Sequence, residues 1–196
     1  VIGLGIYLVF FYCVCYNISM MKDISKIKDC RRCSLYKNQL PLLDNIKDID
    51  VMWVGLSAKE VNDIDKNIPL ENNTNSGRII EKIENNFDGI SFYKTNLVKC
   101  LPLDSNKKLR YPTKKEIDMC INNLLCEISY FKPRVIFLLG NKVSSYVEKY
   151  LKNNNILINS KIITIYHPSY IWIYKKKELD KYIEDITLKI KENINI

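Results

Sequence analysis

The chain has 196 residues, with 30 Lys plus Arg against 22 Asp plus Glu, a formal charge of +8 and 47% hydrophobic content. Nearly half of it is apolar, enough to build a core, which excludes wholesale disorder, and the length suits one domain of ordinary size. Six Gly, six Pro and no recurring period exclude collagen-like, mucin-like and repeat architectures.

Residues 1–21 contain no charged side chain, so the whole +8 falls on residues 22–196, read as the folded domain. The apolar lead has neither the basic start nor the small-residue cleavage site of a secretory signal. It comes close to the roughly 20 apolar residues of a membrane anchor. The favoured reading is an extension upstream of a true start at Met20 or Met21.

Next in the chain comes Cys30-Arg31-Arg32-Cys33. A C-x-x-C turn lets two thiolates face one metal, and the flanking arginines lower the thiol pKa values and offset negative charge. The pair alone is compatible with zinc, with iron–sulfur chemistry or with a redox dithiol, although a redox pair is expected at a strand-to-helix junction and this one precedes the first strand. Seven cysteines in an irregular layout do not form a secreted disulfide framework. Cys100, Cys120 and Cys126 are further thiols; for each alone, the plain expectation is a small buried hydrophobe.

Four runs rich in β-branched and aromatic residues are predicted as strands: Asp50–Gly55, Ser91–Val98, Arg134–Gly140 and Lys161–Tyr166. Their near-continuous hydrophobicity calls for cover on both faces. Helical patterns lie over Ser76–Asn86, Thr113–Phe131, Asn141–Leu151 and Lys177–Lys191, the second opening with the capping-box pattern Thr113-Lys-Lys-Glu116. Strand alternating with helix predicts the α/β class, a three-layer α/β/α sandwich around a mostly parallel four-stranded sheet. Ligands of such sheets bind beyond the carboxyl ends of the strands, where the sequence places Gly55-Leu56-Ser57, Asn96, Gly140 and His167-Pro168-Ser169. No G-x-G-x-x-G is present, which disfavours a dinucleotide site.

In order, Cys30–Leu35, Val51–Gly55, Ile68-Pro69-Leu70, Ser76-Gly77-Arg78, Thr95–Cys100, Arg110-Tyr-Pro112 with Glu116 and Cys120, Lys132-Pro133, Leu139-Gly140 and Tyr166–Tyr170 resemble the iron–sulfur-containing, family 4-like branch of the uracil-DNA glycosylase superfamily. The likeness runs from about Ile27 to Ile186. It implies a base-excision repair hydrolase of DNA that flips out uracil or a related damaged base and cleaves its N-glycosidic bond. It implies a 4Fe-4S cluster held by Cys30, Cys33, Cys100 and Cys120, with Cys126 as competitor for the fourth place. Asn96 would read the uracil edge and His167 would donate to the uracil carbonyl, with Gly55 and Leu70 beside the base. Ser169, Ile171, Trp172 and Lys175 would engage DNA, with Ile171 or Trp172 filling the gap left by the flipped base.

Two positions depart from the family pattern. Leu56 stands where an acid normally orients the attacking water, and Leu70 where a Phe normally stacks on the base; Glu60 and Asp63 are the nearby acids able to substitute. The alternatives are therefore a catalytically impaired DNA-binding relative and, more distantly, a zinc protein with four Cys ligands. A cytoplasmic monomer with DNA as its partner and no obligate protein partner is expected.

Overall fold

The computed structural model describes residues 24–45 and 48–194; the apolar lead and its anchor or upstream-start readings lie outside them. A short helix α1 (Ser25–Lys28) and a 3-10 turn (Ser34–Lys37) precede the first strand. There follow β1 (Val51–Ser57), α2 (Asn75–Glu84), β2 (Phe92–Val98), α3 (Lys114–Phe131), β3 (Val135–Leu139), α4 (Asn141–Asn153), β4 (Lys161–Ile165), α5 (Pro168–Tyr174) and α6 (Leu179–Ile194). All four predicted strands form, within a few residues of their expected bounds.

The strands make one all-parallel sheet in the order β2-β1-β3-β4. Alternation along each strand sorts the side chains onto two faces. Met52, Val54, Tyr93, Leu97, Ile136 and Leu138 pack with Ile117, Ile121 and Leu124 of α3 and Val143 and Val147 of α4. Val51, Trp53, Phe92, Val135, Phe137 and Leu139 pack with Ile79, Ile80 and Ile83 of α2 and Ile186 and Ile190 of α6. That is the expected three-layer sandwich, and the double cover explains why the strands read as continuous apolar runs rather than alternating ones. No helix among the described residues is long and apolar enough to cross a membrane.

Local chemistry fixes the helix starts. Thr74 caps α2 by accepting from the Gly77 amide at 2.9 Å, and Thr113 and Glu116 close the predicted capping box on α3. The chain leaves β1 for β2 on one side and returns past β1 to β3 on the other. The switch point thus lies at the carboxyl ends of β1 and β3, beside Gly55 and Gly140, where parallel sheets open a crevice.

Candidate active site

That crevice is a cleft of about 880 Å³, with Gly55, Leu56 and Glu60, Leu70, Asn96, Gly140 and His167 among its lining residues. Asn96 sits on β2 opposite Gly55 of β1. A Cβ at position 55 would stand 2.4 Å from Asn96 Oδ1, so only glycine leaves the amide its place. Among the described residues the Asn96 side chain forms no hydrogen bond, so its donor and acceptor are available to the cleft although the residue is buried.

Behind Asn96 lies a fully buried polar network. The Lys99 ammonium donates to the Asn96 carbonyl (2.6 Å) and to Thr95 Oγ1 (2.5 Å) and pairs with Glu127. Glu127 in turn accepts from the Tyr93 hydroxyl at 2.9 Å and from Thr95 Oγ1 at 3.1 Å. Every acceptor of the buried carboxylate is thereby engaged, and β2 is tied to α3 directly beneath the cleft.

His167 caps α5, its Nδ1 accepting from the Ser169 amide at 3.3 Å and lying 2.8 Å from Ser169 Oγ. An Nδ1 that accepts a backbone N–H carries no proton, so the neutral ring bears its hydrogen on Nε2. Burial pushes the imidazole pKa down, which favours that neutral form.

The two acids proposed from sequence separate cleanly. Asp63 does not line the cleft; its carboxylate accepts from the Asp65 amide and pairs with Lys66 at 3.1 Å. Glu60 does line it and, among the described residues, its carboxylate has no partner. The backbone on both sides of Glu60 is held by Gln39, whose amide donates to the Lys59 carbonyl (3.1 Å) and accepts from the Val61 amide (3.0 Å). Leu70 lies in the cleft wall with a left-handed φ of 54°, held there by the next residue. Glu71 accepts from the Ile68 amide and from the Asn67 and Asn73 side chains. The close packing of Glu71 on α2 leaves no room for a Cβ at Gly77, which would come within 1.8 Å of the Glu71 carbonyl.

The residues expected to meet DNA divide. Ser169 lines the cleft. Ile171 does not reach it: at 2% exposure it faces the core, so it has no free side chain to insert into a duplex. Trp172 packs against the α2/α6 core with the Lys176 ammonium over its ring at 4.7 Å. Lys175 bonds Glu178 at 3.0 Å. Besides Ser169, the residues of this helix that line the cleft are Tyr170, Ile173 and Tyr174.

Cys100 and Cys120 share the core beneath α3, with Cys33 packed against them. Burial raises the Cys100 thiol, and the neighbouring Cys120, Cys33 and Cys30 raise it further. Asn123 Nδ2 lies 3.6 Å from Cys30 Sγ and 3.8 Å from Cys120 Sγ, and the Lys99 amide donates to Cys120 Sγ at 3.4 Å. Burial also raises Cys120, whereas at Cys30 it is outweighed by hydrogen bonds from Arg32 and Asn123 that leave the thiol below its ordinary value. Cys126 lies elsewhere, in a small cluster with Ile27 and Leu43. Among the described residues no group of three or more His, Cys, Asp or Glu side chains could hold a metal ion.

Gln39, Lys99 and Glu127 were not expected as site residues. Each acts through a partner 20 or more residues away, a relation that no local pattern in the sequence carries.

The chain is 30% identical over 139 residues to a type-4 uracil-DNA glycosylase of Saccharolobus solfataricus, covering 68% of this chain and 60% of that protein. It is 27% identical over 183 residues to a type-4 uracil-DNA glycosylase of Thermotoga maritima, covering 85% of this chain and 91% of that one. The crystal structure of wild-type SMUG2 from Pedobacter heparinus shares the fold at 17% identity, with a TM-score of 0.59 over 76% of this chain and 77% of that chain. The family model of the uracil DNA glycosylase superfamily matches residues 44–190, and the chain belongs to that superfamily.

Proposed function

We propose that the protein is a DNA glycosylase that extrudes uracil from DNA and hydrolyses its N-glycosidic bond. The observation that carries this is the juxtaposition, in one cleft, of an unpartnered Asn96 amide and a neutral His167 whose Nδ1 is already occupied. The amide matches the adjacent acceptor and donor on a uracil edge. As the bond to the sugar lengthens, negative charge builds on the departing base, and the His167 Nε2–H is the donor that meets it; one such preorganised donor contributes about 3–4 kcal/mol.

The attacking water needs a partner, and Leu56 supplies none. Glu60 is the acid of the β1 loop that supports this role, since it faces the cleft unpaired and Gln39 braces the backbone around it. Leu70 covers the base with an apolar face in place of an aromatic one.

For the four thiols, the reading that fits is a structural 4Fe-4S cluster on Cys30, Cys33, Cys100 and Cys120. Two of the four thiols are buried, amide and side-chain N–H groups point at their sulfurs, and Arg32 offsets the charge. When bound, the cluster would tie the N-terminal segment to β2 and α3.

Strand scission by alkali after incubation of a uracil-containing oligonucleotide tests the activity. Wild type is expected to leave abasic sites, Asn96→Ala and His167→Ala to slow their formation by about 100-fold or more, and Glu60→Gln to lower kcat without changing DNA affinity. No scission at any protein excess would leave the non-catalytic relative as the correct reading.

A further inference from the structure

Past the base-reading residues, the cleft continues along an aromatic wall. Tyr166 follows β4, just ahead of α5, and Tyr170 and Tyr174 lie one turn apart on that helix. Tyr166 and Tyr170 stack at 5.6 Å between centroids, and Tyr170 and Tyr174 lie 5.2 Å apart. Tyr174 is 72% exposed, and Ile173 beside it 61%. Tyr111, also in the cleft lining, is exposed with the Lys142 ammonium 3.3 Å above its ring, and Leu109 lines the cleft too. Large aromatic surfaces left in water along one groove are unusual in a folded chain.

The charge pattern says what would cover them. Helix α5 carries no acidic residue. Lys142 and Lys175 lie over the rings that border the groove, Lys176 lies over Trp172, and Lys177 follows. Flat π faces interleaved with cations suit unpaired bases on a phosphodiester backbone; they do not suit a duplex, whose bases are already stacked on each other. The volume points the same way, because about 880 Å³ is near the upper end of small-ligand sites, roughly 300–1,000 Å³, and far beyond what one pyrimidine needs. Of the two residues expected to fill the gap left by a flipped base, Ile171 is in the core and Trp172 packs against the α2/α6 core.

We infer that the Tyr166–Tyr170–Tyr174 wall is a stacking platform for the unpaired nucleotides flanking the target, so that the protein selects single-stranded over duplex DNA. This rests on the reading of the cleft as the place where DNA is engaged, but not on base excision.

Equilibrium binding to uracil-free oligonucleotides, single-stranded and as the duplex of the same sequence, tests it. Wild type should bind the single strand about 10-fold or more tightly than the duplex. Replacing two rings with apolar side chains, Tyr170→Leu with Tyr174→Leu, should weaken single-strand binding by about 10- to 100-fold and change duplex binding less than about twofold, since the lysines that meet phosphate are untouched. Tyr170→Phe with Tyr174→Phe keeps the π faces and should retain the preference, which separates stacking from misfolding. Equal binding to the two forms by wild type, or equal losses on both in the Leu variant, would overturn the inference. Because the strands lack uracil, a protein that shows this preference but never excises a base would refute the glycosylase reading alone. One that excises but has no preference would refute the platform alone.

Discussion

A single missing methyl group leaves the Asn96 amide its place. Ala at position 55 would put a Cβ 2.4 Å from Asn96 Oδ1, and β1 cannot retreat because it is hydrogen-bonded to β2 and β3 on both sides. The amide must move instead. Gly55→Ala is expected to lower kcat/KM by about 100-fold, the usual consequence of shifting a reacting group by an ångström, while the protein melts within a few degrees of wild type. Unchanged turnover in a folded variant would show that Asn96 does not read the base. At this scale the sequence was informative where chemistry-bearing residue types sit at strand ends, as Asn96 and His167 do. It was silent on Gln39 and Glu127, whose roles exist only once distant segments meet.

Among the elements, the loop that carries Tyr111 is fastened to α3 by one ion pair. Arg110 donates through both terminal nitrogens to Glu116, at 2.8 and 2.6 Å, and the Thr113 amide donates to the same carboxylate at 2.7 Å. The Arg110 hydrogen bonds are the largest influence on the Glu116 carboxyl and bring it down from its ordinary 4.5 to about 2. Because the folded value lies below the unfolded one, the clamp stabilises fully above the unfolded value and is lost as pH falls toward 2. Glu116→Gln is expected to lose about 1–3 kcal/mol near neutrality, with the gap to wild type closing between about pH 4.5 and pH 2. Denaturant midpoints across that range measure it; a pH-independent gap would mean packing, not charge, is responsible. The capping box on this helix was legible because its spacing is local. The orientation of α5 was not, since its seven residues, PSYIWIY, carry no polar face to set against an apolar one, and only tertiary packing decides that Ile171 turns inward and Ile173 outward.

For the molecule as a whole, the three-layer sandwich could be read from the alternation of apolar strands with amphipathic helices, because a parallel sheet must be covered on both faces. The sequence did not separate Cys120 from Cys126 on its own grounds; the fold puts Cys120 in the core cluster with Cys100 and Cys33, and Cys126 in a smaller one with Ile27 and Leu43. Cys120→Ser is therefore expected to abolish the visible absorption of anaerobically purified protein and lower its Tm, whereas Cys126→Ser retains the colour. The reverse pattern would reassign the fourth ligand, and a colourless wild type that binds zinc would remove the cluster. Above these details stands the claim that one cleft reads uracil through Asn96 and releases it with help from His167. Mass spectrometry of the small molecules freed from DNA under single turnover, with protein in excess, tests it most directly. The account predicts free uracil, and no free cytosine, from a strand containing both; bound DNA with no free base, or equal release of cytosine, would contradict it.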